Sequence, residues 1–124
     1  MKEIIRPGNM PPAAGPYSPA VRANGLVFIS GQLPVTPEGT MVEGGIREQA
    51  FQVLENLKSV LRGAGLTPAH VVKTTVYLEN IADFSVVNEV YGKYFAQEPP
   101  ARACVQVSAL PKGAAIEIDA VAAI

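Results

Sequence analysis

Apolar residues recur along this chain with two periods. From Ala101 to Leu110 they alternate: Ala101, Ala103, Val105, Val107 and Ala109 fall on one face, with Arg102, Cys104, Gln106 and Ser108 on the other. Ala115 to Ala123 repeats the pattern, with Ile116, Ile118, Ala120 and Ala122 opposite Glu117 and Asp119. Period-two alternation predicts strands with one apolar face. Between Gly45 and Ala64 the spacing lengthens, and Ile46, Ala50, Val53, Leu54, Leu57, Val60, Leu61 and Ala64 line one side of a helix that Gly65 stops. A second helix, Phe84 to Phe95, follows a candidate N-cap at Asp83 and carries Phe84, Val87, Tyr91 and Phe95 on its apolar stripe. Val71 to Glu79 is rich in β-branched residues and reads as a strand, with Val72, Thr74, Val76 and Leu78 facing one way. Ala20–Ala23 and Leu26–Ser30 flank Asn24-Gly25, a strong hairpin signal. Continuously apolar Leu26–Ile29 predicts burial on both faces, and Lys2–Arg6 is a short first strand ended by Pro7-Gly8.

The order βββαβαββ predicts an α+β, two-layer sandwich: a mixed six-stranded sheet with two helices on one face, in one domain over residues 1–124. The other sheet face is then wet or covered. Its small apolar residues point to a cover of further copies of the chain, hence a homo-oligomer.

Composition narrows the chemistry. The chain has 124 residues, 48% hydrophobic, with a net charge of −1. No basic stripe interleaved with aromatics is present, so no nucleic-acid partner is expected. One Cys excludes an internal disulfide and His70 is the one His, so multi-Cys and multi-His metal centres are excluded. No apolar run reaches the ~18 residues of a membrane span, and the N-terminal apolar stretch is short for a signal peptide. A soluble, reducing, cytoplasmic setting is the expectation.

Candidate site residues each have a plainer reading. Arg102, on a strand that starts just after Pro99-Pro100, suits a carboxylate fork, yet strand arginines are ordinarily solvated. Glu117 is a candidate proton carrier or the wet side of an edge strand. Cys104, as a lone Cys, reads as a small core hydrophobe. Asn88, on the apolar stripe of the second helix, needs a partner or faces a pocket. Tyr17 and Ser18 sit in a loop stiffened by Pro16 and Pro19, and Ser30-Gly31 close a buried strand where backbone amides can hold an oxygen. His70 reads as a surface or capping residue in the turn Thr67–His70. Arg102 and Glu117 are offset by roughly six residues along their strands, or ~20 Å at ~3.3 Å per residue. If both act on one ligand, they come from different subunits.

These residues carry a resemblance. GPYSPA (Gly15–Ala20), VFISGQLP (Val27–Pro34), ENLKSVLRGAG (Glu55–Gly65), VVKTTVYLENIADFSVVNEVYGKYF (Val71–Phe95) and PARACVQVSALPKGAAIEIDAVA (Pro100–Ala122) resemble the RidA (YjgF) family over nearly the whole chain. Pro19, where many relatives carry Gln, is a small departure. The resemblance implies a chorismate-mutase-like fold and a homotrimer with inter-subunit sites. It implies an enamine/imine deaminase that hydrolyses 2-aminoacrylate/2-iminopropanoate and 2-iminobutanoate to 2-oxo acids and ammonia, with no cofactor. By motif, Arg102 matches the carboxylate-gripping arginine and Glu117 the acid beside the attacking water. Tyr17, Ser30, Gly31, Asn88 and Cys104 match substrate-binding positions. A non-catalytic trimer that binds small carboxylates, or a regulatory or chaperone-like role, is the alternative. Ribonuclease activity, described for some relatives, is disfavoured by the charge.

Overall fold

The computed structural model describes residues 1–11 and 13–124. Its elements follow the expected order: β1 Glu3–Ile5, β2 Ala20–Ala23, β3 Leu26–Gln32, α1 Ile46–Gly63, β4 Val71–Leu78, α2 Phe84–Tyr94, β5 Ala101–Gln106 and β6 Ile116–Ala123. The six strands form one mixed sheet in the order β1-β2-β3-β6-β4-β5. All neighbours are antiparallel except β4 and β5, which are parallel and joined through α2. Helix α1 lies across β3 and β6 and packs against α2.

The helix-facing side of the sheet is the core. Val27 and Ile29 of β3, Val76 and Leu78 of β4, and Ile116, Ile118, Ala120 and Ala122 of β6 meet Val53, Leu54, Leu57, Val60 and Leu61 of α1 and Val87 and Val90 of α2. Thr74 is fully buried there and pairs with the Tyr91 hydroxyl at 2.7 Å. That bond removes the cost of about 1–3 kcal/mol that either hydroxyl would carry if buried alone. Asn56 of α1 donates to the Leu33 and Val35 carbonyls at 2.9 and 2.8 Å, which pins the loop after β3 onto the helix.

β4 lies between β5 and β6, with Val76 and Leu78 buried on its helix-facing side. Several expectations are corrected. β5 ends at Gln106 rather than Leu110, although Val107 N–H still donates to the Leu78 carbonyl at 2.8 Å. Its alternating apolar residues Ala101, Ala103 and Val105 are exposed, and the Arg102/Cys104 side faces the helices. Partnering Thr74, Arg102 shares the face on which Thr74 is buried. A register irregularity between Val71 and Lys73 turns Val72 outward, away from Thr74. Phe28, expected to be covered, is 47% exposed in the single chain. Asp83 makes no side-chain cap; Asn80 instead caps a 3-10 turn leading into α2 by accepting from Ala82 N–H at 2.9 Å. His70 does cap, its Nδ1 accepting from Thr67 N–H at 3.1 Å.

Candidate active site

The site residues form two groups on opposite faces of the sheet. The first is built by the β4–α2–β5 unit. Arg102 donates from Nη1 to Asn88 Oδ1 at 2.8 Å. Its guanidinium carbon lies 4.8 Å from the centroid of the Tyr91 ring and 5.3 Å from that of Phe84. Phe84, Asn88 and Tyr91 are spaced four and three apart, so one stripe of α2 supplies all three contacts. The ion pairs among the described residues are Arg22–Glu3 and Arg47–Glu89, and Arg102 belongs to neither. A rigidly held guanidinium without a carboxylate partner keeps donors available for one from outside. Cys104 lies two residues on, on the same face, packed against the core. Burial pushes its thiol pKa up, and the nearby Arg102 charge offsets only part of that. A thiol held protonated is a poor nucleophile.

The second group lies where β3 meets β6. The β3–β6 register breaks between Ile29 and Gln32, so Ser30 and Gly31 occupy a bulge. Ser30 Oγ donates to the Ser18 carbonyl at 2.6 Å, and Ser30 N–H donates to Pro19 at 3.0 Å, fixing the loop that carries Tyr17. Tyr17 is 53% exposed. Gly31 leaves room for Glu117: a Cβ there would sit 2.7 Å from the Glu117 carboxyl carbon, so that side chain would have to shift. Beside this group an open groove of about 520 Å³ is lined by Tyr17, Ser18, Phe28, Ser30, Asp119 and Val121, among others. Tyr17 and Gly31 also border a cavity of about 320 Å³ with Leu33 and Val35.

Glu117 is half-buried, and burial first, then the neighbouring Asp119 charge, raise its pKa above the ordinary 4.5. The folded chain therefore holds this proton more tightly than the unfolded chain. The stability that protonated Glu117 allows is fully present below pH 4.5 and is lost as pH rises through the elevated folded-state value. Glu117→Gln, which cannot ionise, is expected to raise the melting temperature at neutral pH. The gain should shrink towards zero as thermal scans move below pH 4.5; a gain that persists there would place its origin outside ionisation.

One chain does not bring Arg102 and Glu117 together. Arg102 pairs with Thr74 and Glu117 with Tyr77 of the same strand β4, so they are offset by only three pairings, about 10 Å and not ~20 Å. What separates them is the sheet itself: Arg102 points to the helices and Glu117 away from them, two strands across. Two contacts were not anticipated from sequence. One is the pair of rings flanking Arg102, whose signal was the α2 stripe. The other is the bond from Tyr77 Oη to Asp119 Oδ2 at 2.9 Å.

Comparison with known proteins matches residues 7–124 to a family model described as endoribonuclease L-PSP. A RutC family protein of Pyrococcus horikoshii is 49% identical over 98% of this chain and 98% of its own length. The human 2-iminobutanoate/2-iminopropanoate deaminase is 48% identical over 98% of this chain and 90% of its own. A crystal structure of E. coli TdcF with bound serine superposes with a TM-score of 0.93 at 38% identity, covering 98% of each chain.

Proposed function

This chain belongs to the RidA (YjgF) family, whose model carries the description endoribonuclease L-PSP, and from that membership we propose that it is a deaminase of small 2-imino acids. The substrates proposed are 2-iminopropanoate, the tautomer of 2-aminoacrylate, and 2-iminobutanoate. The assembly proposed is a cytoplasmic homotrimer with a site in each cleft between subunits. Among the described residues no helix is long and apolar enough to cross a membrane.

In this reading one subunit supplies Arg102, Asn88 and Cys104, and its neighbour supplies Tyr17, Ser30, Gly31 and Glu117. Arg102 forks onto the substrate carboxylate, with its own aim fixed by Asn88 and the two rings. C2 is then held against a water positioned by Glu117. As the water oxygen bonds to C2, the C=N electron pair moves onto nitrogen, and Glu117 takes a water proton and delivers it there. Glu117 then takes the carbinolamine hydroxyl proton and passes it to the amine nitrogen, so that C=O forms as the C–N bond breaks and ammonia leaves with the 2-oxo acid. The single observation that carries the reading is the braced Arg102 with no carboxylate of its own.

The test is release of pyruvate from 2-aminoacrylate generated in situ from serine by a pyridoxal-phosphate dehydratase. Added protein is expected to accelerate pyruvate and ammonia appearance above the uncatalysed rate. A second reading, capture of small amino or 2-oxo acids without turnover, is favoured by the serine-bound TdcF structure. Saturable binding of pyruvate or serine with no acceleration would establish it instead.

A further inference from the structure

Glu117 does not stand alone on its face of the sheet. Asp119 is two residues along β6 and therefore on the same side. Tyr77 is the β4 residue directly opposite Glu117, and Thr75 is the one opposite Asp119. The Tyr77 hydroxyl reaches diagonally to Asp119 Oδ2 at 2.9 Å, tying the two strands together beside Glu117. This face otherwise carries Phe28, Val121 and the exposed side of β5. Asp119 also borders the open groove lined by Tyr17, Ser18 and Ser30.

We propose that Asp119, held in place by Tyr77, is a positioning residue that acts through Glu117 and sets how strongly Glu117 holds the proton it moves. The inference rests on the deaminase reading, since it gives Glu117 a proton to move. The other ionisable groups on this side are Lys73 of β4, whose Nζ lies 3.4 Å from Thr75 Oγ1, and Lys2 and Tyr17 at the groove; β3 contributes Ser30 and Gly31, which do not titrate. After burial, the Asp119 charge is the influence that raises the Glu117 pKa, and the charges of both carboxylates act on the Tyr77 phenol. A like charge beside a carboxylate makes it a stronger base, which favours a group that must take a proton from water near neutral pH. Tyr77 keeps Asp119 at one position, so the strength of the effect is fixed by the fold.

The experiment compares the wild type, Asp119→Asn and Asp119→Glu, each checked by light scattering to be the same oligomer. The pH profile of kcat/KM for 2-iminopropanoate should fall on its acid side as Glu117 is protonated. In Asp119→Asn that limb should move to lower pH, so that the ratio of kcat/KM at pH 5 to that at pH 8 rises about twofold or more. Asp119→Glu, which restores the charge, should bring the limb back towards the wild-type position. A limb that does not move in Asp119→Asn overturns the proposal, because a purely structural loss would lower activity at every pH alike. Carbon-13 NMR titration of the Glu117 carboxyl in the same variants gives a readout independent of turnover. If the wild type proves inactive while the Glu117 titration still falls in Asp119→Asn, the coupling stands and the deaminase reading fails. If the titration is unchanged, the coupling itself is wrong.

Discussion

Replacing Arg102 by alanine should lower kcat/KM for 2-iminopropanoate hydrolysis by about a hundredfold or more, the order expected for losing charge-assisted hydrogen bonds to a substrate carboxylate. The fold should survive the change. Arg102 is half-buried at the edge strand β5, and its contacts within the chain are one hydrogen bond to Asn88 and two ring faces. Arg102→Lys should recover little, because an ammonium keeps the charge but not the planar pair of donors, and fits the space between Phe84 and Tyr91 differently. Steady-state pyruvate release by the wild type and both variants, matched for oligomeric state, is the measurement. Equal activity in Arg102→Ala would move the carboxylate grip elsewhere.

The second large effect is a gain. Arg102→Ala and Glu117→Ala are each expected to be inactive alone, yet a mixture refolded together should regain activity. The two groups face opposite sides of the sheet, so in the proposed site Arg102 comes from one subunit and Glu117 from the next. In a cyclic assembly with random 1:1 mixing, about one site in four combines an intact Arg102 with an intact Glu117. Activity near that fraction of wild type, appearing only after co-refolding, supports shared sites. A mixture as inactive as its parts would mean that both groups serve a ligand from within one chain.

Element order and the two-layer architecture were legible in the sequence because helix and strand periods are sharply distinct here. The α1 stripe and the β6 alternation each match what the structure buries. Sheet order was not legible. Alternation marks two faces of a strand without saying which one meets the helices, and in β5 the face richer in apolar residues is the exposed one. The small side chains of Ala101 and Ala103 lose little by exposure, whereas Arg102 gains two aromatic faces and an amide by turning inward. For the site, the identities of Arg102, Asn88 and Glu117 could be read as candidates, and the Arg102–Asn88 bond explains the polar residue on the α2 stripe. Their division between two faces could not be read, since it depends on β4 lying between β5 and β6. Likewise the close approach of the Glu117 carboxyl to Gly31 became visible only in the structure.

The position of β6 has a consequence for how the chain reaches this fold. Strands β1 to β3 form one block of the sheet and β4 with β5 another, and the two blocks meet through β6. That strand follows both blocks in sequence. A chain growing from its N-terminus therefore makes two separate pieces of sheet, each with an open edge, before it makes the strand that joins them. Closure is a late and long-range event, bringing β6 back beside β3 from the far side of both helices, and such non-local pairing is slow relative to local helix formation. Until then Glu117 has no place against Gly31, while the groups that hold Arg102 (Phe84, Asn88 and Tyr91) are already encoded in the emerging chain.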